Sequence, residues 1–486
     1  ASQPRKSSAP KAFAFARFSF ESLGASCAAL LSRGEMRVVF VALAAQLASA
    51  LDDELCGGAR IFVYDLPRFA PNATAKARKT PLWDIADSNN SRKTRTALRN
   101  PNSGSAFGFP CASVWDGCRR LEFLGMGPRF ELEGMQLYDT TQFALDLLAI
   151  RFINMFCRTT SLADANLFYI PLPVAELQEL GRKRKLMPGE GIAYMESVKA
   201  FLSSQPAWQQ GEPHFVVLPE TAFQYEGEGF GDFLHHGFAL KNPFWASVTF
   251  VTIEGAAKHP NLLSVPYPTT LHPRTERDLE TWLKVLASTP QSPRAVLIAG
   301  EKFHDDGIRS QIIDACNAEP LCHFEPVKNR RGAKEPSLNF TQTAVSLYLS
   351  STFSLQPAGD TPTRKGFFDS LVAKCIPIVF HGGRLEAPPE PWWLERTYGA
   401  AYARYFSGEE SWIKKVALVA ESVDDAMRLV RETPPEVISR LQRNILDLLP
   451  SLLYWNTIAT DTSSASVHRN VFTRMLRRLM SKRDAK

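Results

Sequence analysis

The sequence is poor in the residues that build metal centres, with eight cysteines and nine histidines in 486 residues. No C-x-x-C pair and no His/Cys cluster has zinc spacing, which excludes a structural zinc module. His235-His236 has no third ligand nearby and reads as a surface or cleft-edge pair. No D-x-D motif occurs, so Asp305-Asp306 reads as a solvated turn and no metal site is expected. A Walker-type glycine loop and a G-x-G-x-x-G fingerprint are both missing, which removes the best-marked nucleotide folds. No repeat of 20 to 50 residues points to a solenoid. A basic body is lacking as well. The formal charge is +6, but Lys and Arg outnumber Asp and Glu by 6 to 2 before residue 51 and by 7 to 1 from His468 onward. The stretch between is therefore near −4, whereas a nucleic-acid binder carries its basic excess on the folded body. No nucleic-acid partner is expected.

What is present begins with an address. Met36-Arg37 precedes an apolar run at 38–47 and then Ala48-Ser49-Ala50. A charged start, an apolar core and small residues describe a cleaved signal peptide at 36–50, the alternative being a retained anchor, for which the run is short. It lies within a targeting leader, 1–50. Residues 1–35, rich in Ser, Ala, Arg and Phe, are an upstream extension or part of an organelle leader and are set aside. Sequons at Asn72-Ala73-Thr74, Asn89-Asn90-Ser91 and Asn339-Phe340-Thr341 fit the secretory pathway. So do the close pairs Cys111/Cys118 and Cys316/Cys322, which would bridge in an oxidising lumen, the alternative being buried free thiols. The Golgi lumen is the expected location.

With 45% hydrophobic residues over this length, two cores are expected. Short β-rich runs at 61–64, 167–170, 215–218, 248–253, 296–299, 352–355 and 376–380 alternate with helical patterns, the mark of parallel sheets covered by helices. The clearest helix is predicted at 140–157, where Phe143, Leu147, Ile150 and Asn154 trace one face. Residues 68–120 lack periodicity and read as a surface excursion. The proline-dense stretch from Pro266 to Pro273 separates an α/β domain at 51–270 from a second at 271–450, and a helical basic tail follows at 451–486. Its Arg474, Arg477, Arg478, Lys482 and Arg483 fit a membrane surface or simply a solvated helix.

Residues 352–380 form a strand, loop, helix, strand unit, in which a ligand sits beyond the carboxyl end of the strand. The loop from Gln356 to Thr363 contains Pro357, Gly359, Asp360 and Pro362. Thr361 is placed to cap a helix whose first turn holds Arg364 and Lys365, and a helix amino end with two cations is an anion site. Asp369, five residues after Arg364, is turned ~140° from it, and a carboxylate there suits a ribose diol. The bland reading is an ordinary crossover whose Thr caps the helix and whose Arg364 pairs with a carboxylate.

This unit resembles the signature of the exostosin-like glycosyltransferases, especially the branch containing the xyloglucan galactosyltransferases of plant cell walls. Ile61 to Pro67 is similar to that family's opening strand, and Leu137-Tyr138-Asp139-Thr140-Thr141-Gln142-Phe143-Ala144 to a helix start on its acceptor side. Phe168 to Pro171, Ser264 to Pro268 and Ile308 to Ile313 follow in the family's order, so that roughly 60–385 is covered. The resemblance implies an α/β fold of GT-B type, two Rossmann-like domains facing a central cleft. It implies an inverting glycosyltransferase that takes a sugar from a nucleotide diphosphate sugar, UDP-linked as in UDP-galactose, to a polysaccharide or glycan hydroxyl. The alternative is a non-catalytic glycan-binding or complex-forming member. No cofactor or metal is implied. Membrane association and hetero-oligomers with other glycosyltransferases are left open. Transfer needs a base for the acceptor proton and positive charge on the departing diphosphate. Arg364 is the candidate for that charge, Arg309 for a second phosphate contact, and Gln356, Gly359, Asp360, Thr361, Thr363, Lys365 and Asp369 complete the donor site, with Asp369 at the family's acidic position. For the base, Asp139 competes with its own reading as a helix cap. Glu220 is the second candidate, at a position where many relatives have Arg.

Overall fold

All seven β-rich runs are strands in the computed structural model, which describes residues 54–67, 123, 125–172, 188–219, 221, 243–255, 259, 261–300, 308–327, 338–359, 361–380, 397–406, 410–455 and 470–481. In chain order the strands are β1 (Ile61–Val63), β2 (Arg129–Leu132), β3 (Met135–Tyr138), β4 (Arg158–Thr159), β5 (Leu167–Tyr169), β6 (His214–Val217) and β7 (Val248–Thr252). They continue as β8 (Leu262–Ser264), β9 (Ser292–Gly300), β10 (Cys322–Val327), β11 (Ser351–Gln356), β12 (Ile376–Phe380) and β13 (Leu418–Ala420). One sheet runs β4-β1-β5-β6-β7-β8 and the other β10-β9-β11-β12-β13, and every pairing in both is parallel. The expected α/β architecture with two Rossmann-like sheets is therefore present. β11 and β12 are buried along their whole length, as strands covered by helices on both faces must be.

Each sheet is wound alike. The chain goes from β1 outward to β4 and returns to the other side of β1 as β5; likewise it goes from β9 to β10 and returns as β11. The strand order thus reverses at β1/β5 and at β9/β11, and in doubly wound sheets ligands bind at the carboxyl ends of the strands where the order reverses.

Sequence reading misses the edge strand β10 and the β2/β3 hairpin, among others. β10, at an edge, contains His323, Glu325 and Pro326 and is half-buried throughout, so it shows neither alternation nor an apolar run. Proline at an edge removes no ladder donor that the sheet needs. The β2/β3 hairpin turns at Glu133 and Gly134, both with positive φ, 51° and 71°.

The helix predicted at 140–157 starts late, at Leu145, runs to Phe152 and closes as a π-helical turn, Ile153–Cys157. Residues 139 and 140 are held otherwise. The Asp139 amide donates to Pro128 O at 2.7 Å, and Thr140 Oγ1 donates to Met126 O at 2.6 Å. Gly127, at φ 84°, lies so close to the Asp139 carbonyl that a Cβ would collide with it. Asp139 is therefore not a helix cap.

The carboxyl-terminal helix, Val471–Ser481, returns to the first sheet's side. Thr473 Oγ1 donates to Leu55 O at 2.6 Å, and the Phe472 ring lies 4.9 Å from that of Phe152. Val471, Phe472, Met475, Leu476 and Leu479 are buried there. That uses the face an interfacial helix would sink into lipid, so the membrane-surface reading of this helix does not fit. Arg474 lies over the rings of Tyr405 and Phe406, at 5.2 and 5.5 Å. Among the described residues no helix is long and apolar enough to cross a membrane.

Cys316 and Cys322 are bonded as expected, and Cys56–Cys157 is a second disulfide, invisible to spacing arguments because 101 residues separate the partners. Cys111 and Cys118 lie outside the described residues, as do residues 1–53 with the leader. Closing so long a loop restricts the unfolded chain strongly. Replacing Cys56 and Cys157 together by serine is expected to lower unfolding free energy by about 3 kcal/mol, measured by chemical denaturation against wild type.

His214 sits under Tyr64, Phe168 and Trp208, its ring parallel to that of Tyr64 at 5.6 Å. Its Nδ1 faces Glu212 O at 2.6 Å and must carry the proton, so Nε2 accepts from Tyr64 Oη at 2.8 Å. Burial lowers the pKa of His214 to about 4 and that of the fully enclosed His272 to about 3. A depressed folded pKa contributes stability that is whole above the unfolded value of about 6.5 and is lost as pH falls toward the folded one. Stability is therefore expected to drop below about pH 6.5 by about 1.4 kcal/mol per pH unit for each of these histidines. Denaturant titrations at a series of pH values from neutral to mildly acidic measure this, and His214→Phe should remove about one histidine's share of the slope.

Candidate functional site

Two arginines meet at the carboxyl ends of β9 and β11. Arg364 has extended backbone, φ −148° and ψ 149°, and immediately precedes the helix Lys365–Val372. Its side chain runs back over the strand ends, where Nη2 donates to Ile298 O at 2.9 Å and Nη1 to Pro357 O at 3.3 Å. Arg309 comes from the first turn of the helix Ile308–Ala318, which follows β9, and its Nη2 donates to Ala358 O at 3.2 Å. Two guanidiniums thus meet at adjacent carbonyls just beyond β11, one from each side of the reversal in strand order. A guanidinium carries five donors, so these carbonyl bonds orient Arg364 without exhausting it. The helix start beside it has no side-chain cap, and a helix amino end carries partial positive charge. Gly359 closes the loop, with its amide donating to Thr361 O at 3.0 Å, and a Cβ there would stand 3.6 Å from Arg309 Nη2.

Thr361 and Thr363, just before Arg364, are held from the other sheet. Thr361 does not cap the helix, as its position suggests; its Oγ1 donates to Glu254 Oε2 at 2.9 Å. Thr363 donates to the same oxygen through its amide at 3.1 Å and through its hydroxyl. Glu254 follows β7 and has no solvent exposure. A buried carboxylate is stable only where donors meet it, and this cluster of donors is the physical reason Thr361 turns away from the helix. Tyr398 and Tyr402 lie one turn apart on the helix Tyr398–Tyr402 and straddle the two parts. Tyr398 Oη accepts from the Arg364 amide at 2.9 Å, while Tyr402 Oη donates to Ile253 O. Burial pushes the phenols of Tyr267, Tyr398 and Tyr402 up, and the nearby Glu254 charge adds to this.

The other expected donor residues are placed as follows. Lys365 Nζ and Asp369 Oδ2 form an i,i+4 pair at 2.5 Å, largely out of solvent. Burial raises the Asp369 carboxyl against the pull of the Lys365 ammonium and the Thr270 amide. Gln356 is buried, and its Nε2 donates to Gly366 O at 3.3 Å. A Cβ at Gly366 would stand 3.3 Å from Gln356 Oε1 and 3.0 Å from Tyr348 Oη, so glycine leaves the Gln356 side chain its place. Asp139 Oδ1 accepts from Thr341 Oγ1 at 2.7 Å. Glu220, Asp360, Asp305, Asp306, His235 and His236 lie outside the described residues.

Glu254, Tyr398 and Tyr402 are the residues that sequence reading misses. For Glu254 a signal exists: it stands one residue past the run predicted at 248–253, where strand-end carboxylates belong. The tyrosines lie in an apolar stretch that reads only as core.

Several known proteins resemble this chain. The xyloglucan-specific galacturonosyltransferase 1 of Arabidopsis thaliana is 25% identical over 83% of this chain and 54% of its own length. The xyloglucan galactosyltransferase MUR3 of the same plant is 24% identical over 82% of this chain and 59% of its own length. The chain thus spans little more than half the length of these two relatives. Among solved structures, a GtfA/B complex matches over 74% of this chain and 64% of its own, at a TM-score of 0.32 and 10% identity. The exostosin GT47 domain matches residues 55–394, more than half of the sequence, and the protein belongs to that family.

Proposed function

We propose that the protein is an inverting glycosyltransferase that moves a sugar from a nucleotide diphosphate sugar, UDP-linked and of the UDP-galactose kind, to a hydroxyl of a xyloglucan-related glycan in the Golgi lumen. The observation that carries this reading is the convergence of Arg309 and Arg364 on Ala358 and Pro357 at the ends of β9 and β11. The names of the two relatives supply the glycan and the class of sugar. The disulfides suit an oxidising compartment.

In this reading a base on the first sheet's side takes the proton of the acceptor hydroxyl. Its oxygen attacks the anomeric carbon from the face opposite the diphosphate. The bond to the diphosphate oxygen breaks, the electron pair leaves with the diphosphate, and configuration inverts. Arg364, Arg309 and the uncapped helix start face the charge that grows on the leaving group. Asp369 serves the ribose and Lys365 holds it. Asp139 and Glu220 are the candidate bases.

Release of UDP from a panel of nucleotide sugars, with and without xyloglucan oligosaccharides, tests the activity. Turnover that needs the glycan supports it, and no turnover with any donor overturns it. Arg364→Ala is expected to lower kcat by about a hundredfold, on the order of 3 kcal/mol of transition-state stabilisation. Asp369→Asn should act mainly on the donor KM, because the contacts to the leaving group remain. Steady-state kinetics with the donor varied separates the two effects, and unchanged constants in both would place the donor site elsewhere.

The same reading makes the arginines, rather than a divalent ion, the source of positive charge on the diphosphate. Activity is expected to persist in excess EDTA. Complete loss, restored by Mn²⁺, would contradict the proposed leaving-group chemistry.

A further inference from the structure

We propose that Glu254 is a positioning residue for the donor site: its carboxylate, on the first sheet's side, fixes residues 361–363 and thereby aims Arg364 across the ends of β9 and β11. This rests on reading the arginine pair as the diphosphate site.

Glu254 differs from an ordinary core carboxylate in what it binds. Three donors reach Oε2 from two residues, Thr361 and Thr363, that lie beside Arg364 in sequence. One of them is a backbone amide, whose direction is set by the chain and not by a rotamer. The next amide along, that of Arg364, is taken by Tyr398 Oη at 2.9 Å. Successive peptide groups are therefore fixed, one by Glu254 and one by Tyr398, just before the guanidinium departs toward Ile298 and Pro357. Tyr267 Oη adds a contact to Thr363 Oγ1 at 3.4 Å. Small errors in that backbone would be carried to the end of a long side chain, where catalysis tolerates displacements of only about 1 Å.

A carboxylate that only held the two parts together would affect folding stability and leave the kinetics of folded enzyme untouched. A positioning carboxylate affects turnover in enzyme that is still folded. Glu254→Gln keeps the shape but replaces one acceptor oxygen with an amide donor. Thr363→Val removes one donor hydroxyl, and Thr363→Ser keeps it.

The experiment measures UDP affinity by calorimetry, kcat and donor KM, and melting temperature for wild type and these three variants. Glu254→Gln and Thr363→Val are expected to lose at least about tenfold in kcat, and Thr363→Ser, which keeps the hydroxyl, to recover most of what Thr363→Val loses. The double variant Glu254→Gln/Thr363→Val should be little worse than Glu254→Gln alone, because both changes cut the same connection. If wild type binds UDP and the folded variants turn over normally, the positioning role is wrong while the donor site stands. If Glu254→Gln does not fold, Thr363→Val decides, and normal kcat in that variant overturns the proposal. If wild type binds no UDP at all, the donor-site reading fails and this inference fails with it.

Discussion

A carboxylate with no access to water has to be met by donors, and at Glu254 those donors come from the opposite sheet's loop. Much of the molecule's organisation can be followed outward from that contact. It joins the end of β7 to the stretch after β11, so it brings the carboxyl ends of two parallel sheets to one place. It also decides the course of residues 361–363, which would otherwise be free to cap the helix that follows. The helix Tyr398–Tyr402 reinforces the same junction, with one tyrosine on Ile253 and the other on Arg364.

The second constraint is topological. Parallel strands require crossovers, and where their direction reverses the two helices diverge and leave their amino ends facing a common crevice. Arg309 and Arg364 stand at the starts of the helices on either side of that reversal. Their convergence is a result of strand order together with two short loops. The first sheet, wound in the same order, has its own reversal between β1 and β5.

Sequence reading locates what periodicity and residue type express. Runs of β-branched and aromatic residues mark all seven of the strands expected, and the strand, loop, helix unit at 352–380 puts Arg364 and Lys365 at a helix start, where spacing alone leaves an anion site and an ordinary crossover both open. Edge strands such as β10, with its proline and charged residues, carry no such pattern. The late start of the helix at Leu145 depends on tertiary ties at Asp139, Thr140 and Gly127, which local propensity does not contain. Thr361 reads as a cap because its partner, Glu254, lies 107 residues away. The disulfide between Cys56 and Cys157 is hidden for the same reason. Apart from edge strands such as β10, what is illegible here is a pairing between remote residues.

The central claim is that the two guanidiniums at the ends of β9 and β11 bind a nucleoside diphosphate. A crystal structure of the protein with UDP tests it most directly. The account predicts the diphosphate between Arg309 and Arg364, beside the amino end of the helix Lys365–Val372. Nucleotide density anywhere else, with both arginines still on the Pro357 and Ala358 carbonyls and no phosphate within hydrogen-bond reach, would contradict it.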